Sequence, residues 1–297
     1  MRLRTWKLYT AVWLVALGGL SLMAMPHRAA AVQETPVVVR YPWVEDTFSQ
    51  NLSRYFRELL VLALRHSDLN YQLQPVRLSS FRESRSVMSV AKGLYDVHWM
   101  NANPLRERVL EPVRIPLTKG VIGWRLLLVR SGDRDRFAPV ESVSDLQSMT
   151  AVQGHDWPDS DILERNGLKV LRTPSWEGMH RMLHAGRVDY FPRSVAEVWG
   201  ERPLFQNLDV IVEPHLVLVY PSAYYFFVSQ QNTALAEALR QGLEKAIEDG
   251  SFDRLFMAHF GDMLERADLK NRTLLRLENP LLTPETPLDR QELWYQP

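Results

Sequence analysis

The 297-residue chain holds 35 basic and 35 acidic residues, 46% apolar residues and no cysteine. Balanced charge gives no whole-surface attraction to nucleic acid or anionic lipid, so a nucleic-acid partner is not expected. The missing cysteines exclude disulfides, thiol catalysis, zinc–thiolate sites and iron–sulfur clusters.

Arg2, Arg4 and Lys7 form a basic start, residues 8–25 are apolar and uncharged, and Ala29-Ala30-Ala31 supplies small residues. That order is the n-region, h-region and cleavage site of a secretory signal peptide, with cleavage after Ala31 and a periplasmic destination. A retained membrane anchor is the alternative, which Gly18 and Gly19 weaken. Removing 1–31 takes Arg2, Arg4, Lys7 and Arg28 with it. It leaves 266 residues with 31 basic against 35 acidic, a net charge of −4. Such a chain is long enough for two lobes and must be stable through its core alone.

The β-branched run 37–41 reads as a buried strand. Residues 48–66 carry a helical stripe of Leu52, Tyr55, Phe56, Leu59, Leu60 and Leu64. Residues 71–78 alternate as a strand, with Pro75 placing it near an edge. A helix over 84–92 stops at Gly93, and 96–99 is a strand. This β-α-β-α-β order builds a sheet with helices on both faces. Residues 120–130 read as a longer strand and 131–135 as a polar turn. A second alternating unit begins at Val143, with strands at 150–152, 169–171 and 187–191 and helices over 160–166 and 176–185. Strand-like runs at 208–212 and 216–229 precede an amphipathic helix over 232–248, stopped by Asp249-Gly250. A last helix reaches 259 or 260. The tail is rich in proline, but Leu281, Leu282, Leu288 and Trp294 mark it as an arm held on the surface. There is no repeat at a fixed period.

Three segments carry a family resemblance. Residues 90–125 run from a helix end through Gly and a strand opening with Asp to a polar stretch with Arg and a further strand. Residues 178–199 contain Gly186-Arg187-Val188-Asp189 after a helix, and 224–256 join an aromatic strand to a long helix and a Gly stop. In order and spacing they resemble the family 3 solute-binding proteins of ABC importers. The resemblance implies an α/β, two-lobed type II periplasmic binding protein fold with a hinge of two crossing strands, near 127–129 and 217–219. Lobe one would hold 36–127 plus 218–270, lobe two 128–217, and 271–297 would be a Pro-rich C-terminal arm. Such a cleft closes on its ligand by rotation of one lobe.

Arg108 lies twelve residues after Asp96, where the resemblance implies an Arg that pairs with a ligand carboxylate; a guanidinium suits that role through two parallel bonds. A surface salt bridge beside Arg106 and Glu107 is the ordinary alternative. Asn101 and Asn103 fall where the family places small polar ligand contacts, against a plain turn role before Pro104. His155, Asp156 and Trp157 occupy a loop whose backbone N–H groups, by the resemblance, face the ligand at a helix start; Asp159 and Asp161 read instead as carboxylates serving that helix start, while His155 and Asp156 stay open between the two roles. Amino-acid binders of the family carry an Asp five residues after the Asp at 189, but here Ser194 stands there with Arg193 beside it. That departure favours an anion with two acidic ends over a zwitterion. Trp43 and Trp157 are the aromatic residues placed to face the cleft.

The leading expectation is therefore a monomeric, non-enzymatic solute-binding protein for a small polar, carboxylate-bearing ligand, amino-acid-like or an organic anion, with a membrane permease as partner and no cofactor or metal. A periplasmic sensor or accessory subunit for a membrane signalling protein is the alternative. A dehydratase-type enzyme drawing on His155, Glu177 or His180 is third, since no nucleophile–base–orienter pattern is present.

Overall fold

The computed structural model describes residues 35–44, 50–78 and 83–297. The proposed signal segment lies outside the described residues. Among the described residues no helix is long and apolar enough to cross a membrane. Residues 36–297 form one compact unit.

The first half contains β1 (Val37–Val44), α1 (Gln50–His66), β2 (Tyr71–Leu78), α2 (Glu83–Ala91), β3 (Val97–Asn101), α3 (Pro104–Val109) and β4 (Leu110–Val113). After β5 (Trp124–Val129) and α4 (Arg134–Phe137) come β6 (Thr150–Gly154), α5 (Pro158–Arg165), β7 (Lys169–Thr173), α6 (Trp176–His184), β8 (Tyr190–Ser194), α7 (Arg202–Phe205) and β9 (Ile211–Val212). The chain returns through β10 (Leu216–Val219), β11 (Tyr224–Ser229), α8 (Thr233–Glu248), α9 (Ser251–Ala267) and β12 (Thr273–Arg276).

Among the described residues the strands form a parallel pair, a three-stranded sheet beside it and a seven-stranded sheet. In the first lobe β1 and β2 run parallel and β11 lies antiparallel between β3 and β4. Asp96 N–H, just before β3, donates to Arg40 C=O at 2.8 Å and so sets β1 beside β3. In the second the order is β7-β6-β8-β5-β10-β12, with β6 parallel to β7 and β8, and β5 antiparallel to β8 and β10. Both lobes use the same lock. Gly93 and Gly186 adopt φ of 69° and 70°, a conformation that favours glycine, and each ends a helix three residues before an Asp. The Asp96 carboxylate accepts the Arg40 N–H at 2.7 Å and the Asp189 carboxylate accepts the Thr150 N–H at 2.8 Å. These two aspartates therefore register neighbouring strands.

The hinge is built from β5 and β10, paired through Leu218 with Arg125 and Val219 with Trp124. β12 adds a strand beside β10, so the arm begins as part of the hinge sheet. The longer strand expected from 120 instead opens as a 3₁₀ turn over Val121–Gly123, which lets Gly123 lie directly against the Tyr220 carbonyl. The last helix passes the expected stop and runs to Ala267, because Leu264 and Ala267 bury on the side already set by Phe252, Phe256 and Phe260.

The first-lobe core is anchored where α1 crosses α8. A Cβ built on Gly242 would lie 1.8 Å from the Ala63 carbonyl oxygen, a backbone atom that cannot rotate away. Gly242→Ala is expected to cost about 1–3 kcal/mol through forced helix separation, even though alanine is the better helix former. Urea unfolding measures it; an unchanged or raised midpoint would contradict this crossing.

Candidate functional site

A groove of about 350 Å³ lies between the two lobes. One wall is Asn103, Pro104, Leu105, Arg106 and Arg108 of α3 and its approach; the other is Asp156, Pro158 and Asp161 at the start of α5, with Leu281 of the arm closing one side. α3 is short and begins after β3 because Asn103 caps it, accepting the Arg106 N–H at 2.9 Å, with Pro104 in the first helical position. Arg106 is buried and donates to the Asn101 carbonyl at 2.6 Å. Arg108 is exposed and has no carboxylate partner among the described residues. On the facing wall Asp161 is held by Arg172 at 2.6 Å, whereas among the described residues Asp156 has only the exposed His155 ring at 3.7 Å. An unpaired guanidinium thus faces a carboxylate without a strong partner.

The start of α5 differs from the sequence expectation. Trp157 is the cap residue, no side chain caps the helix, and Pro158 fixes the first helical φ in place of a capping carboxylate. The N–H groups of His155, Trp157 and Ser160 donate to Thr173, Gly154 and Trp157 carbonyls, so they do not form an anion cradle. Trp157 folds back over Gly154, where a Cβ would meet its ring at 2.4 Å.

Behind the groove lies a buried ionic cluster at the ends of β5, β8 and β10. Arg125 donates through Nε to the Tyr220 hydroxyl at 2.8 Å and through Nη2 to Asp159, and Glu197 lies 3.4 Å from its Nη1. The Tyr220 hydroxyl donates to Asp159. Arg193 donates to Glu201 through Nε at 2.8 Å and again through Nη2, lies 3.1 Å from Glu197, and has the Trp157 ring 5.0 Å from its centre. Two guanidinium groups therefore share three carboxylates. Burial, with Glu201 and Asp159 nearby, raises the Glu197 carboxyl above its ordinary value against the pull of both arginines.

The cluster relocates two expected ligand contacts. Arg193 is turned inward and fully engaged by Glu201 and Glu197, and the Ser194 hydroxyl donates to the Val121 carbonyl at 3.2 Å. The positive charge read from the sequence as favouring a doubly acidic ligand is therefore neutralised inside the protein. Asn103, Arg108 and Asp156 line the groove. Asn101 ends β3 with its Oδ1 buried and without a partner, Trp43 packs edge-on to Tyr41, and His155 is exposed beside Asp156. Of the acid–base candidates, Glu177 is exposed and His180 is buried among Trp176, Phe191 and Phe205. Among the described residues no three His, Asp or Glu side chains are grouped to hold a metal. Sequence reasoning missed Arg125, Glu197, Glu201, Tyr220 and Leu281, and read Asp159 as a cap. The visible signal was Arg125, a lone charge inside the apolar run 121–129.

No family model and no curated relative matches the chain. Solved structures do. The probable amino-acid ABC transporter extracellular-binding protein YtmK of Bacillus subtilis superposes with a TM-score of 0.60 at 14% identity, covering 77% of this chain and 99% of that one. The fold is that of a type II periplasmic binding protein. The same fold is shared by the GluR0 ligand-binding core of Nostoc punctiforme, solved with L-glutamate (TM-score 0.53, 15% identity, 76% of this chain and 99% of that one). It is also shared by an ancestral amino-acid-binding protein described as a precursor of cyclohexadienyl dehydratase (0.54, 13%, 75% and 95%). At these identities the likeness to periplasmic binding proteins is one of fold. It accounts for the paired sheets, the crossing strands β5 and β10, and a groove between lobes.

Proposed function

We propose that this protein binds a small amino-acid-like zwitterion in the groove between α3 and α5, without altering it, in the periplasm. The observation that carries the reading is the opposition of Arg108 and Asp156 across that groove, each short of a strong ionic partner. A guanidinium pairs with a carboxylate through charge-assisted bonds, and a carboxylate accepts from an ammonium. A ligand bearing both groups satisfies both walls and draws the lobes together. Asn103 adds a side-chain amide to the Arg108 wall. The structural neighbours include proteins described as amino-acid binders, which agrees with this ligand class. Delivery to a membrane permease is the expected next step.

A thermal-shift panel tests the reading. L-arginine, L-glutamine and L-glutamate are compared with their decarboxylated and deaminated analogues at equal concentration. At a hundredfold excess over the dissociation constant a ligand adds about 2.7 kcal/mol. One or more zwitterions should raise the melting temperature, their single-charge analogues should not, and the zwitterion should be recovered unchanged. Equal shifts from the analogues, or none from any zwitterion, would overturn it.

A further inference from the structure

We infer that the C-terminal arm is an interlobe strap, which limits how far the lobes part and holds one wall of the groove. Residues 277–295 bind both lobes in succession. Leu277 N–H donates to the Val219 carbonyl at 2.8 Å, extending the hinge pairing beyond β12. Glu278 is clamped by Asn166 at the end of α5, in the second lobe. Its N–H donates to Asn166 Oδ1 at 2.9 Å and its carbonyl accepts from Asn166 Nδ2 at 2.8 Å. Asn279 then donates to the Pro221 carbonyl, between β10 and β11, at 2.8 Å.

Leu281 reaches the groove, and Leu282 packs against the first-lobe cluster that includes Tyr225 and Phe227. Thr283 donates to Glu107 of α3 at 3.0 Å. Further on, Arg290 makes a two-bond pair with Glu244 of α8 at 2.6 and 2.9 Å. Trp294 covers Gly120, where any Cβ would lie 2.5 Å from its ring, and Tyr295 N–H donates to the Lys119 carbonyl at 2.7 Å.

The span from Glu278 to Thr283 is six residues, so it reaches at most about 20 Å when fully extended. Its two ends are held on opposite lobes. Opening between α3 and α5 therefore requires either a straightened span or release of one anchor. Leu281 sits in the middle of that span, so release of the arm also removes a groove wall. The strap itself does not depend on the ligand reading; only its effect on ligand exchange does.

The chain has no cysteine, so labels can be placed cleanly. Spin labels at Arg54→Cys on α1 and Lys169→Cys on β7, both exposed positions, report the lobe separation by electron–electron resonance. The full-length protein should give one narrow distance population. Asn166→Ala with Thr283→Val, which unpins both ends, should add a longer population. Superimposable distributions in a variant with native circular dichroism would overturn the strap. Hydrogen exchange on the unsubstituted protein gives an independent reading should the variant fail to fold. The 278 and 281 amides, both bonded, should be protected about as strongly as those of β12; exchange at solvent rates would equally overturn the strap. A longer population without ligand binding in the panel removes the ligand reading and leaves the strap standing.

Discussion

Arg125→Met is expected to destabilise the protein by about 3–5 kcal/mol, the usual cost of removing one partner from a buried ion pair. The side chain is only 4% exposed and serves Asp159, Glu197 and the Tyr220 hydroxyl together. Without it, three carboxylates share Arg193 alone. The loss should depend on pH. Burial already raises the Glu197 carboxyl in the parent, and losing Arg125 removes one of the two positive charges that pull it back down. The folded variant then binds more protons than the unfolded chain above the ordinary carboxylate range, so stability falls as pH rises through that window. The deficit is therefore greatest near neutrality and shrinks as pH drops toward the unfolded carboxylate value near 4. Arg125→Met with Asp159→Leu removes a matched pair and should recover much of the loss, since buried pairs are often replaceable by apolar groups. Denaturant unfolding at pH 7 and pH 5 reads all of this. A single variant within 1 kcal/mol of the parent would mean the cluster is not the support of the hinge.

Arg108→Ala is expected to weaken the best zwitterion of the panel by about 2–3 kcal/mol, roughly 30- to 150-fold, with an unchanged melting temperature in the absence of ligand. The two halves of that statement have separate causes. Arg108 is exposed and lacks an ionic partner among the described residues, so the fold does not need it. A ligand carboxylate enclosed by groove closure needs it strongly, because a desolvated charge without its partner is costly. Arg108→Lys should recover part of the affinity, since an ammonium supplies charge without the planar fork. Calorimetric titration decides. Equal affinity for Ala and Arg would take Arg108 out of the site.

The lobes were legible in the sequence because they are local. Alternating strands, the α1 stripe of Tyr55, Phe56, Leu59 and Leu60, and the helix stops at Gly93 and Gly250 each declare themselves within about a dozen residues. Arg108 and Asn103 were reached through the family resemblance, and both line the groove. The buried cluster was not legible, because its partners lie far apart in the chain. Arg125 meets Asp159 across 34 positions and Tyr220 across 95. Nothing in periodicity links such residues, and an Asp after a proline reads naturally as a helix cap. Arg193 was read without its carboxylate partners for the same reason. Its neutralising carboxylates, Glu197 and Glu201, follow in a segment whose path the strand pattern does not specify. The arm was legible as apolar and held down, but which lobes it joins depends on Asn166 and Glu107, whose roles only the folded chain reveals.

The central claim is that ligand settles between the starts of α3 and α5. Hydrogen exchange with and without the zwitterion giving the largest thermal shift tests it most directly. The account expects slowed exchange concentrated at 103–108 and 156–161, on both walls at once. Protection confined to one lobe, or centred on a surface away from both helices, would contradict it.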